Sequence, residues 1–221
     1  MAVISCVAIL LYLVPAFMLS VYLDRKFIAH FQIRSGPMRV GPHGSLQIFA
    51  DAIKMITKED TIPAAADKFM FTLAPILAMI PAIMAFAVIP FNEDMIFADL
   101  NIGVLYIITI TTISVLAAFM AGWSSKNKYS LLGAMRAVAQ MVSYEVPMIL
   151  SILGVVMITG SLSMTQIVMA QDIPFIVLQP LGFVICFIAT LAELNRSPMD
   201  LMEAESEIIA GYHTEYSGMK F

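Results

Sequence analysis

Five windows of this sequence carry almost no charge: residues 1–23, 69–92, 100–125, 137–171 and 173–192, interrupted only by the single acid Glu145 in the fourth. At a helical rise of about 1.5 Å per residue and a hydrocarbon thickness of about 30 Å, about 20 residues cross a bilayer. Every window reaches that length, so the sequence predicts an all-α fold, a polytopic transmembrane helix bundle with five spans. Charged residues make up only 13% of the chain and mean hydropathy is +0.89, whereas soluble domains carry roughly 25% charged residues. Lipid is therefore the expected solvent for most of the surface. The first window has no basic start and no small-residue cleavage site, and it exceeds the roughly 7–15 apolar residues of a signal-peptide core. It is predicted to remain as a helix of a single membrane domain, 1–221.

The twelve Lys and Arg residues fall within 24–68, 122–136 and 193–221. These segments are separated by pairs of spans and so share one side. The positive-inside rule places them in the cytoplasm or its organelle equivalent, with the N-terminus outside. The other connections, 93–99 and 160–172, carry only acids and are predicted to face outward. In the first inside loop, Leu46, Phe49, Ile53 and Ile56 recur at helical spacing while Asp51, Lys54 and Lys58 take the other side, the pattern of an interfacial amphipathic helix. The preceding run IRSGPMRVGPHG holds two Gly-Pro turns with Arg34, Arg39 and His43. It reads as a topology-setting basic loop or as a lid beside a membrane cavity.

Cys6 and Cys186 lie inside predicted spans and His30, His43 and His213 are scattered, so no spacing suggests a zinc, haem or iron–sulfur site. A redox centre would have to come from a partner or a diffusible molecule. The net charge of −4, without a basic tract, argues against nucleic acid. No nucleophile–base arrangement suggests hydrolysis.

Acids stand where a membrane should exclude them. Glu145 lies about 13 Å along the helix from Arg136, close to the predicted midplane. A charge there costs about 2.5–3.5 kcal/mol on insertion scales, so the carboxyl is expected to be protonated, paired or beside water. Arg136 cannot pair with it within the helix, because nine steps of about 100° set the two on opposite faces. Pro147 has no N–H, which removes the usual donor to the Ser143 carbonyl and predicts a kink beside the acid. The segment LAELNRSPMDLMEAESEIIAGYHTEY adds Glu193, Asp200, Glu203, Glu205, Glu207 and Glu215, with Arg196 as its only Lys or Arg. Clustered carboxylates raise one another's proton affinity, which suits a proton or ion path. A neutral packing carboxyl and a solvated acidic loop are the plainer alternatives.

Several long motifs, RSGPMRVGP, LQIFADAIKMITKED, WSSKNKYSLLGAMRAVAQMVSYEV, LAELNRSPMDLMEAESE and AGYHTEYSGMKF, closely resemble the quinone-site membrane subunit of respiratory complex I, the NADH:quinone oxidoreductase. The resemblance covers about residues 22–221. It implies a tilted helix bundle clasped by hydrophilic iron–sulfur subunits, with small membrane subunits and antiporter-like subunits alongside. Quinone would be the substrate, held in a long chamber. Flavin and iron–sulfur clusters would sit in partner subunits, with no covalent cofactor and no catalysis by this chain alone. The resemblance further implies that Glu145, Glu193, Glu203, Glu205 and Glu207 belong to a proton path, and that Asp24, Arg25, Arg34, Arg39, Arg196 and Asp200 shape the chamber or its loops. Asp24 stands where the family usually has Glu, and Met38, Met199 and Met202 where it has Asn, Phe and Pro. The family also continues for about three more helices, so the resemblance implies a chain incomplete at its C-terminus. A bacterial plasma membrane is the expected location, with an organelle inner membrane as the alternative. The alternatives in function are the homologous membrane protein of a membrane-bound hydrogenase or ferredoxin-linked complex, an independent ion transporter, which an inverted repeat would have favoured, and a structural anchor.

Overall fold

The computed structural model describes residues 2–91, 96–196, 198–201 and 209–220, with side chains from residue 11 onward. Among these residues the protein is all helical, with eight α-helices and three short 3-10 turns. It divides into two compact units, residues 2–61 with 217–220, and residues 62–216.

In the first unit, α1 (Ala2–Phe31) continues beyond the predicted end of the first span and carries Asp24 and Arg25 on its helical extension. The expected loop from residue 24 therefore begins two turns later. The physical reason is local: no glycine or proline occurs between Pro15 and Gly36, and charged residues with good helix propensity continue a helix as readily as apolar ones. The basic loop then folds back on itself through a 3-10 turn at Pro42–Gly44. Gly44 has φ +80°, and a β-carbon there would lie 2.1 Å from the Pro37 carbonyl oxygen, so only glycine allows this approach. The Tyr22 hydroxyl donates to the His43 carbonyl at 3.1 Å. The amphipathic segment forms α2 (Gln47–Thr57), with Phe49, Ile53 and Ile56 exposed on its apolar face. Lys220 pairs with Asp60 at 2.7 Å, and Ser217 bonds Thr61, fastening the chain's last residues to this unit.

The second unit is the bundle. It contains α3 (Lys68–Ala85), α4 (Gly103–Ser124), α5 (Lys128–Thr159), the short α6 (Met164–Met169) and α7 (Phe175–Leu178), and α8 (Pro180–Glu193). Helices α3, α4 and α5 are long and apolar enough to cross a membrane, while α8 is shorter, at 14 residues. Each of the five uncharged windows thus contains helix. Asp67 caps α3 by accepting from the Phe69 and Met70 amides, and its own N–H donates to the Ser124 carbonyl at the end of α4. This sets α3 and α4 antiparallel. Small residues let α4 meet α5: a β-carbon on Gly122 would lie 2.3 Å from that of Ala134 and 2.7 Å from the Ser130 carbonyl oxygen. Close backbone approach of this kind replaces hydrophobic driving force inside lipid. The outward faces remain apolar, with Leu116, Val146, Leu150 and Phe187 exposed.

The fifth window, predicted as a single helix, is broken between α7 and α8. Pro180 cannot donate to the Ile176 carbonyl, and its ring excludes the preceding residue from helical geometry. Gln179 accordingly adopts φ −131°, ψ 64°. Its amide packs against Gly154 of α5, where a β-carbon would lie 2.8 Å from Gln179 Oε1. Helix α5, in contrast, runs unbroken through Pro147.

After the acidic segment the chain returns across the α3–α4 end of the bundle. Tyr216 stacks on Phe71 with ring centroids 4.0 Å apart and donates its hydroxyl to the Phe71 carbonyl at 3.2 Å. Ala66, Ala74 and Ala121 complete this buried cluster. Asn127 donates to Glu215 at 2.7 Å and Ser130 to the Tyr212 carbonyl at 2.8 Å.

Candidate functional site

Within the bundle unit, three helices converge on two of the sequence-identified acids. Glu145, half-buried on α5, accepts a hydrogen bond from the Thr112 hydroxyl of α4. Glu193, in the last turn of α8 and also half-buried, lies within electrostatic reach of Glu145. Arg136 lies nine residues before Glu145 on the same helix, and the Thr112 hydroxyl of α4 donates to the acid.

Gln140 supports this arrangement. It is 5% exposed, and its Nε2 donates to the Ala192 carbonyl at 2.6 Å and the Met199 carbonyl at 2.8 Å, with Asn195 Oδ1 at 3.3 Å. The turn after α8 is thereby held against α5. Asn195 stands at φ 50°, and its own amide donates to the Glu193 carbonyl at 3.2 Å. Asn tolerates this left-handed conformation better than most residues. Arg196 follows, exposed, with its N–H on the Leu191 carbonyl at 3.2 Å, and Asp200 is half-buried. Glu203, Glu205 and Glu207 lie outside the described residues.

The remaining candidates belong to the first unit. Arg25 of α1 pairs with Asp51 of α2, which also accepts from Gln47 at 3.0 Å. The Arg25 guanidinium first, and the Gln47 amide second, hold the Asp51 carboxyl below the usual carboxylate range. Asp24 is exposed on α1, Arg34 donates to Gln32 at 2.6 Å, and Arg39 is exposed. This group gathers around the basic loop and α2. Among the described residues no group of three or more His, Cys, Asp or Glu is placed to hold a metal. A mostly apolar cleft of about 130 Å³ lies between α5 and the α7–α8 break, lined by Ser151, Gln179, Phe183 and Cys186 among others, and contains none of the candidate acids.

Thr112 and Gln140 were not singled out from sequence. Thr112 sits in the run TITTIS, where threonines commonly bond their own helix, and its partner is 33 residues away. Gln140 carried a weak signal, an amide in an uncharged span five residues before Glu145.

A multi-span helical membrane protein that carries half-buried acids on α5 and α8 is the class that fold and site define. The NADH dehydrogenase family model matches residues 4–221, and the chain belongs to that family. It is 60% identical over 210 residues to the H subunit of NADH-quinone oxidoreductase from Dehalococcoides mccartyi (strain CBDB1), a match covering 95% of this chain and 60% of the relative. The corresponding protein of Brevibacillus brevis is 54% identical over 203 residues, covering 91% and 60% respectively. That of Carboxydothermus hydrogenoformans is 52% identical over 218 residues, covering 98% and 62%. The chain thus spans about three-fifths of the length of these relatives.

Proposed function

We propose that this chain acts as a membrane subunit of a proton-translocating NADH:quinone oxidoreductase, in which its acids couple quinone chemistry to ion movement. The apposition of Glu145 and Glu193 beside Thr112 carries this reading. A carboxyl held by a hydroxyl among apolar helices can take up or release a proton when a neighbouring charge changes. A quinone gains two electrons and two protons on reduction, so the bound headgroup supplies such a change. The basic loop and α2, with Arg25, Arg34 and Arg39, form one wall of the quinone chamber, and Arg196 and Asp200 shape another loop. Glu203, Glu205 and Glu207 extend the acid series.

The electron carriers, flavin and iron–sulfur clusters, belong to hydrophilic partner subunits on the side of the basic loops, and antiporter-like subunits receive the coupling. The chain resides in a bacterial plasma membrane with its N-terminus outside. The names of the relatives support quinone, in preference to protons, as the electron acceptor.

The test is coupling in the assembled complex. In Glu145→Gln and Glu193→Gln variants, electron transfer from NADH to the iron–sulfur clusters is expected to persist, while ions translocated per quinone reduced fall at least about tenfold in one or both, about 1.4 kcal/mol at the relevant barrier. Normal stoichiometry in both variants would contradict the role.

A further inference from the structure

Thr112 has one hydroxyl proton and two acceptors within reach. One is the Glu145 carboxylate on α5, and the other is the carbonyl of Ile108, one turn back on its own helix, at 3.0 Å. A threonine hydroxyl donates one hydrogen bond and can accept two. An ionised carboxylate only accepts, and a charge-assisted bond is roughly twice as strong as a neutral one. The Ile108 carbonyl already receives the Thr111 hydroxyl at 2.9 Å, which weakens its claim on Thr112 further. With Glu145 ionised, the Thr112 proton therefore points at the carboxylate. Once the Glu145 oxygen that faces Thr112 takes the proton, that O–H becomes the donor and the Thr112 hydroxyl turns to accept from it.

The geometry points to Thr112 as a positioning residue that reverses its hydrogen bond with the protonation of Glu145, donating to the carboxylate and, after protonation, accepting from the carboxyl while its own proton turns to Ile108. Thr112 keeps its proton throughout. The proton gained by Glu145 comes from the coupled path, so the inference rests on the proton-handling role proposed above.

Both states of the acid thus keep a hydrogen bond at a depth where an unpartnered carboxyl is expensive. The groups around the pair leave this logic intact. Helix α4 carries Tyr106 as its titratable side chain, α8 presents Glu193, and α5 carries Tyr144 next to Glu145 and Arg136 nine residues back. The hydroxyl lowers the cost of both protonation states, and of the ionised one more, because that bond is charge-assisted.

The test is pH-induced infrared difference spectroscopy on the whole complex in native membranes. The carbonyl band of protonated Glu145 is assigned by its loss in Glu145→Gln. In Thr112→Val, which keeps the shape and removes the hydroxyl, that band is expected to move to higher frequency because the carboxyl no longer donates to Oγ1. Ions translocated per quinone are expected to fall at least about threefold, and Thr112→Ser should restore both.

An unmoved band in Thr112→Val overturns the proposal, as does the absence of any band that Glu145→Gln removes. If Glu145→Gln and Glu193→Gln both leave coupling intact, the proposed function fails while the band still decides the hydrogen bond. If Glu145→Gln abolishes coupling and Thr112→Val leaves band and stoichiometry unchanged, only the role of Thr112 fails.

Discussion

Gln140 sets one carboxamide against three oxygens of the turn that follows α8, and its orientation is determined by them: reversing the amide would place oxygen against the Ala192 and Met199 carbonyls. Gln140→Leu keeps most of the volume but removes the donor to the Met199 carbonyl and one of the donors to the Ala192 carbonyl, which retains the Asn195 N–H at 3.3 Å. It is expected to destabilise the bundle by about 2–3 kcal/mol, read as a lower melting temperature of the purified complex and faster proteolysis between residues 194 and 200. An unchanged melt with no new cleavage would mean the clasp is not holding the turn. Tyr216→Phe makes a gentler change, keeping the stack on Phe71 and losing only the bond to its carbonyl. The expected cost is about 1 kcal/mol, and a loss comparable to Tyr216→Ala would show that the hydroxyl, not the ring, anchors the returning chain.

Contacts between elements depend on the absence of side chains as much as on their presence. At Gly122 the backbone of α4 approaches α5 so closely that a single methyl would overlap Ala134 and the Ser130 carbonyl. Gly122→Ala is expected to force the helices apart at about 1–3 kcal/mol, seen as reduced accumulation of assembled complex in the membrane. Wild-type levels would indicate that the contact can relax.

Between α1 and α2 the control is electrostatic. Because Asp51 is held below its ordinary pKa, its contribution is present above the unfolded value near 3.8 and disappears as pH falls through the lower folded value. Amide exchange in α2 should therefore be steady at neutral pH and accelerate only under acid, whereas Asp51→Asn should accelerate it already at neutral pH. Equal exchange in variant and parent at neutral pH would show that the pair does not order the helix.

Helices α3, α4 and α5 were legible because missing charges announce burial in lipid, and α2 was legible because Leu46, Phe49, Ile53 and Ile56 share one face. The extension of α1 was not, since Asp24, Arg25 and Lys26 mark a membrane boundary without marking a helix end. The break at Pro180 had a local cause, but an uninterrupted apolar run concealed it. Glu145 stood out as a lone charge in an apolar run, and Glu193 as the acid that closes the fifth span. Thr112 and Gln140 become significant only when tertiary packing brings α4 and the turn after α8 to α5, which no local pattern records.

For the molecule as a whole, charge placement, fold and family converge on a helical membrane protein of the NADH dehydrogenase family. The role proposed for its acids requires a larger assembly, so the most direct measurement is mass spectrometry and quinone reductase assay of the complex purified through a tag on this chain in mild detergent. Co-purifying flavin, iron–sulfur and antiporter-like subunits, with NADH-driven quinone reduction sensitive to quinone-site inhibitors, are the expected result. A nickel–iron hydrogenase partner without quinone reduction, or a chain that purifies alone and conducts ions by itself in liposomes, would contradict it.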